Sequence, residues 1–187
     1  MRIIGGTLSG KKIIDPLDKS TRPLKDIVRE SIFNIIEHSK NEFVELNGAK
    51  VLDLFSGTGS FGIECLSRGA AKVVFFENYL KSITILKKNI DHLNLNKKTH
   101  IIQENSFNIN KDNLIYNNFD LIFFDPPYKE NNINLLIKEI KKLKIISKKT
   151  LLIIHRNKKI KEKLSKDLNV LRENSYGLSK IIFGKII

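Results

Sequence analysis

The sequence predicts an α/β fold, a mostly parallel sheet with helices on both faces. Short continuous apolar runs, Val51–Phe55, Val73–Glu77, Leu121–Asp125 and Leu151–His155, alternate with longer stretches of helical periodicity. Strands buried on both faces read as unbroken apolar runs, and parallel strands need crossover helices between them. A Gly-rich turn, Ser56-Gly57-Thr58-Gly59, directly follows the first of these runs. The chain has 187 residues, 41% of them hydrophobic, which suits one domain with a real core.

Each element has its own warrant. Residues 2–14 read as two short strands around a Gly-containing turn. Pro23 suits the first turn of a helix, and apolar positions at Ile27, Val28, Ile32, Phe33, Ile35 and Ile36 continue it over 24–38. This marks residues 1–40 as an appendage, with the main domain over 41–187. In the main domain helices are expected at 61–69, 79–95, 132–144 and, Lys-rich, at 158–166. A weaker strand is expected at 101–103, and further strands at 168–172 and 180–187. In such sheets ligands bind outside the carboxyl ends of the strands. Chemistry is therefore expected just after residues 55, 77, 103 and 125.

Composition narrows the function. No apolar run approaches the roughly 18 residues of a membrane span. One cysteine, Cys65, excludes an intrachain disulfide framework and a multi-Cys zinc site. His38, His92, His100 and His155 are scattered without metal-ligand spacing, so no metal is expected. The opening residues lack a signal-peptide core, and together these features point to the cytoplasm. Net charge is +13, unevenly spread. Residues 31–137 hold 11 basic and 12 acidic side chains, whereas 138–187 hold 15 and four. A basic balance favours a polyanionic partner such as nucleic acid. Only six of the 33 basic residues are Arg, so a Lys-rich composition accounts for the surplus equally well.

Two loops carry the chemistry. Asp53-Leu54-Phe55-Ser56-Gly57-Thr58-Gly59 opens a helix, and Gly57 and Gly59 permit a tight turn and close approach to a ligand. Read literally, Gly57–Gly62 is a GxGxxG pattern that also suits a nicotinamide cofactor. Asp53 argues against that, because an acid there repels a pyrophosphate and suits a cationic amino-acid end. Glu77, 20 residues beyond Gly57, can accept ribose hydroxyls. Asn105 and Ser106 either bond an adenine edge or simply form a turn.

The second loop is Asp125-Pro126-Pro127-Tyr128, after a buried run. Two prolines fix the backbone and remove two N–H donors, leaving rigid carbonyl acceptors. Asp125 adds a carboxylate and Tyr128 a flat face. Such a set suits methylation of an exocyclic amine, whose lone pair is delocalised into its ring. Hydrogen bonds accepted from both N–H groups favour a pyramidal nitrogen ready for in-line attack.

On these residues the chain resembles the class I S-adenosylmethionine-dependent methyltransferases, and more closely the RsmD family, which methylates a guanine N2 in bacterial 16S ribosomal RNA. The resemblance rests on Arg2–Gly6, Gly10-Lys11-Lys12, Thr21-Arg22-Pro23, Val28-Arg29-Glu30, the loop 53–59, Ser67-Arg68-Gly69-Ala70, the Asp-Pro-Pro-Tyr loop and Tyr176-Gly177. It implies a Rossmann-like, seven-stranded sheet with an antiparallel last strand. It implies that Asp53, Gly57, Gly59 and Glu77 line an S-adenosylmethionine site, with Asn105 at the adenine; Phe55 and Ser106 are further candidates for cofactor binding. It assigns Asp125, Pro126, Pro127 and Tyr128 to the target base. It makes Arg2, Arg22 and Arg29 candidates for RNA phosphate contact, although an Arg at a helix start can equally pin the appendage to the core. Relatives often carry Glu-His at the end of the fifth strand, where this chain has Ile154-His155-Arg156. The expected partner is small-subunit RNA, naked or in an assembling particle, and the expected state is a monomer. The rivals are an adenine-N6 nucleic-acid methyltransferase, a protein-glutamine methyltransferase, a nicotinamide-dependent oxidoreductase and a non-catalytic RNA-binding module.

Overall fold

A computed structural model describes residues 1–16, 24–39, 43–127, 129–160 and 163–187. Among them a helix α1, Asp26–His38, precedes the sheet. Then follow β1 (Lys50–Leu54), α2 (Ser60–Ser67), β2 (Lys72–Phe76), α3 (Leu80–His92) and β3 (Thr99–Ile102). The chain continues through β4 (Phe119–Phe124), α4 (Ile133–Leu143), β5 (Ile146–Asn157), β6 (Leu168–Tyr176) and β7 (Ser179–Ile186). The described strands form one seven-stranded sheet in the order β3-β2-β1-β4-β5-β7-β6. Neighbours from β3 to β5 pair in parallel, and β7 lies antiparallel between β5 and β6. The strand order reverses at β1, beside β4, which is where an open α/β sheet leaves a crevice for a ligand.

Alternation along each strand sorts side chains between two cores. Val51, Val73, Phe75, Leu121, Phe123, Leu151 and Ile153 join a cluster with α1, α2 and α3. Leu52, Leu54, Val74, Phe76, Ile122, Phe124, Leu152 and Ile154 join the opposite cluster with α4. Asp53, Asp125 and His155 continue the first set, so all three belong to the α2 face. A stack of rings ties that face together, with Phe61 of α2 3.8 Å from Phe123 and 5.1 Å from Phe33.

The N-terminal segment packs into the same core, through Ile3, Ile13, Val28, Ile32 and Phe33. The two expected short strands reduce to a single bridge, Arg2 with Lys12, and Gly6–Leu8 forms one 3-10 turn. Ile3, Gly10 and Ile13 still donate across the segment, but the amides beyond that bridge are drawn to α2. Ile4 and Gly5 donate to the Glu64 carboxylate at 2.9 and 2.8 Å, and Leu8 donates to Ser67 Oγ. The Lys-rich helix expected at 158–166 is corrected as well. Its described residues are not helical, and β5 instead runs on to Asn157. The Asn157 side chain then accepts from Lys159 N and closes a turn, a conformation Asn favours.

Candidate active site

The carboxyl ends of β1, β2 and β4 meet at one edge of the sheet. The loop after β1 makes its turn at Phe55, Gly57 and Gly59, with φ of 61, 54 and 83°. Gly59 has no room for a side chain, because a Cβ there would lie 2.3 Å from Leu86 Cδ1. Gly62 serves packing, since its Cβ would lie 2.4 Å from the Phe75 ring, so the third glycine of the apparent dinucleotide pattern lets α2 settle on β2.

Asp53 sits beneath this loop and is 1% exposed. Its Oδ2 accepts from Gly62 N at 3.0 Å. Its Oδ1 is buried with no hydrogen-bond partner among the described residues. Burial pushes the Asp53 carboxyl well above the usual carboxylate range; the Gly62 amide opposes this, and the charges of Asp125 and Glu77 add to it. The site thus holds a buried acid with an unused oxygen near two further carboxylates. Such a set attracts a cationic group. It disfavours a pyrophosphate, because the α2 amide that would bind one already faces Asp53. The nicotinamide alternative loses its basis here.

Glu77, at the end of β2, fixes the loop. Its Oε2 accepts from Gly57 N at 2.7 Å, and its Oε1 accepts from Asn78 N and Tyr79 N. Asn105 Oδ1 accepts from Phe107 N at 3.0 Å, and Ser106 Oγ accepts from Phe55 N at 3.1 Å. The turn-forming role weighed for Asn105 and Ser106 is therefore present. The Phe107 ring meets Phe55 edge-on, with centroids 5.6 Å apart. Phe55, Glu77, Asn105, Ser106, Phe107 and Pro127 line a cavity of about 110 Å³. Phe55 of the loop after β1 and Pro127 of the Pro-Pro loop therefore line one cavity, whereas Asp53, Gly57 and Gly59 do not line it.

Asp125 follows β4 directly, and its amide donates to Leu54 O at 3.4 Å. Pro126 is buried and Pro127 exposed, and Pro127 O accepts from Glu130 N in a turn. Tyr128 and Arg22 lie outside the described residues. Sequence reasoning missed the neighbours of Asp125. His155 of β5 places Nδ1 2.7 Å from Asp125 Oδ1, and its Nε2 is 2.9 Å from Ser179 Oγ on β7. The next residue, Arg156, donates through Nη2 to Glu130 O at 2.6 Å and so holds the loop's far end. The signal was in the spacing: Leu121, Phe123 and Asp125 share a face, as do Leu151, Ile153 and His155. Ile154, where relatives often carry Glu, is fully buried in the α4-side core.

The arginine expectations divide. Arg2 is exposed and donates to Gly10 O at 3.1 Å. Arg29 is 0% exposed, which corrects its assignment to RNA phosphate. Its Nη2 donates to Arg2 O and to Asp26 Oδ1, and its Nε lies 3.7 Å from Glu64 Oε2, itself fully buried. Burial lowers its pKa, while Glu64 and Asp26 raise it. Arg29 therefore pins the N-terminal segment to α2. Cys65 is buried, with its thiol pushed well up by burial, and packs in the core. No group of three metal-ligating residues occurs among the described residues. No described helix is long and apolar enough to cross a membrane.

The comparisons with known proteins agree with this architecture. The structure of yhhF from Escherichia coli superposes with a TM-score of 0.82, covering 100% of this chain and 97% of that one at 23% identity. An RNA methyltransferase from Salinibacter ruber, solved with S-adenosyl-L-homocysteine, superposes with a TM-score of 0.64 over 88% of this chain and 94% of that one at 14% identity. The fold is that of the class I methyltransferases. The family model described as "Conserved hypothetical protein 95" matches residues 1–185. Ribosomal RNA small subunit methyltransferase D of Buchnera aphidicola subsp. Acyrthosiphon pisum is 34% identical over 158 residues, which cover 84% of this chain and 78% of that protein. The chain belongs to that family, the RsmD family of methyltransferases.

Proposed function

We propose that this protein acts as a single chain and transfers a methyl group from S-adenosylmethionine to the exocyclic N2 amine of a guanine in small-subunit ribosomal RNA. One observation carries the proposal: a buried acid with an unused oxygen, Asp53, lies within electrostatic reach of both Glu77 and Asp125. A cationic cofactor and a polar amine thus find their partners at one sheet edge.

The residues present fit S-adenosylmethionine. Asp53 Oδ1 lacks a partner that the ligand's ammonium group can supply, directly or through water. Glu77 lines the cavity while its amide contacts hold the Gly57 turn in place. The Phe55 and Phe107 rings offer the cavity an apolar wall for an adenine. When bound, the cofactor supplies an electrophilic methyl on a sulfonium. Asp125 accepts one N–H of the target amine, and a carbonyl of the rigid Asp125-Pro126 segment accepts the other. The amine then keeps its lone pair for the methyl carbon. Positioning and fixed dipoles supply most of the rate. The guanine must leave its stack to enter, at a cost of a few kcal/mol, which is least in a hairpin or bulge. Arg2, Arg22 and the basic C-terminal third supply salt-sensitive phosphate contacts, and residues 1–40 form part of the RNA-facing surface.

The test is transfer of labelled methyl from S-adenosylmethionine to small-subunit RNA lacking the modification, both naked and in protein-bound particles, followed by nucleoside digestion. The expected product is N2-methylguanosine, with the Asp125→Ala rate lower by about 10²–10³. N6-methyladenosine as the product, or no transfer to either substrate by a cofactor-binding protein, overturns the assignment.

A further inference from the structure

Among the described residues the Asp125 carboxylate bonds to His155, and no bond to it comes from Pro126 or Pro127. Asp125 directly follows β4, with its side chain 21% exposed. A carboxylate at a strand end turns easily about its last torsion, which is broad and roughly two-fold. Whether it meets an amine depends on what holds it.

Parallel register sets what lies beside it. Leu121 pairs with Leu151 and Phe123 with Ile153, so two residues further on Asp125 falls beside His155. Strand β7 runs the other way, pairing Asn157 with Ser179 and His155 with Ile181. Ser179 therefore reaches His155 diagonally on the same face. The resulting chain is Ser179 Oγ to His155 Nε2 at 2.9 Å, then His155 Nδ1 to Asp125 Oδ1 at 2.7 Å.

Proton placement follows from the donors available. Ionised Asp125 can only accept, so Nδ1 carries the proton. In the neutral imidazole Nε2 then has only a lone pair, to which the Ser179 hydroxyl can donate. The tautomer is thus locked from behind. The exposure gradient separates this from a nucleophilic triad. Ser179 is 3% exposed and His155 5%, and the carboxylate is the outermost member. The serine is a buried anchor, and the working end is Asp125.

We propose that His155, locked by Ser179, is a positioning residue for methyl transfer. It fixes Asp125 Oδ1, so that acceptance of the target amine falls to the other carboxylate oxygen in one orientation. This rests on the proposed role of Asp125 at the acceptor amine. The His155–Asp125 bond is charge-assisted, and such bonds are short and strong in partly dry sites.

Two substitutions at one position separate orientation from packing. His155→Asn keeps an N–H donor near Nδ1, whereas His155→Gln places its amide near Nε2 and withdraws the donor from Asp125. With saturating S-adenosylmethionine and the same RNA, His155→Gln is expected to lower kcat about 10–100-fold while leaving cofactor affinity by calorimetry unchanged. His155→Asn is expected to recover most of that loss. Nitrogen NMR of the unmodified protein should show the Nδ1–H tautomer, and Ser179→Ala should loosen it. Equal losses in Asn and Gln variants that track their melting temperatures, unchanged kcat in His155→Gln, or an Nε2–H tautomer would each overturn the inference. If the unmodified protein methylates no RNA, the functional proposal fails, while the tautomer measurement still decides whether His155 holds Asp125.

Discussion

Replacing Arg29 by Met tests whether this arginine belongs to the fold or to the RNA surface. Both Arg29 and Glu64 are fully buried, so the substitution removes one of the two cations that face a buried carboxylate, the other being Arg68. Removing one partner of a buried pair costs about 3–5 kcal/mol. Glu64 keeps three other donors, namely Ile4 N, Gly5 N and Arg68 Nε at 2.8–2.9 Å. That places the expected loss at the lower end, about 3 kcal/mol. For a domain of this size it corresponds to a fall in Tm of roughly 6–12 °C. The Arg2 carbonyl also loses its Arg29 donor, so the N-terminal segment should loosen first. The assay is thermal unfolding, with hydrogen exchange at residues 2–14 and the salt dependence of RNA binding measured alongside. A phosphate contact, by contrast, would show as a salt slope lower by about 1 with little change in Tm. A loss below about 1 kcal/mol together with a reduced slope would refute the structural assignment.

Two further outcomes follow from the loop after β1. Burial raises the Asp53 pKa, so the folded protein holds its proton more tightly than the unfolded chain. Stability linked to Asp53 is then full below its unfolded pKa of about 3.9 and is lost as pH rises through the folded value. Asp53→Asn should therefore raise the Tm of the cofactor-free protein at neutral pH by a few degrees and flatten its pH dependence, while S-adenosylmethionine affinity by calorimetry falls at least tenfold; unchanged affinity would remove Asp53 from the site. In Gly62→Ala the new methyl would lie 2.4 Å from the Phe75 ring, forcing α2 away from β2. Overpacking of this kind costs about 1–3 kcal/mol, read as a lower urea midpoint, and an unchanged midpoint would refute the packing role.

Strand and helix order was legible because the periodicities are local. Each parallel strand is an unbroken apolar run, and the glycine turn and the Asp-Pro-Pro segment each announce a strand end within a few residues. The same locality explains the errors. Lys158 onward has helical spacing, yet pairing with β7 draws β5 out to Asn157. Residues 2–14 alternate like a hairpin and pair at its open end, yet Glu64 and Ser67, some 60 residues away, take the amides of Ile4, Gly5 and Leu8. Composition marks Arg29 as a charge without saying whether water reaches it.

The sequence by itself determined the α/β class, the turn after β1, and the acids Asp53, Glu77 and Asp125 at the strand ends, because strand ends and loop chemistry are written in neighbouring residues. Tertiary structure alone decided that Arg29 is a buried pin, that Asp53 keeps one oxygen unused, and that Asp125 is held by His155 and Ser179. These three depend on sheet register and on the packing of distant segments. A strand's own residues say which face each side chain takes, and only its neighbours decide what it meets there.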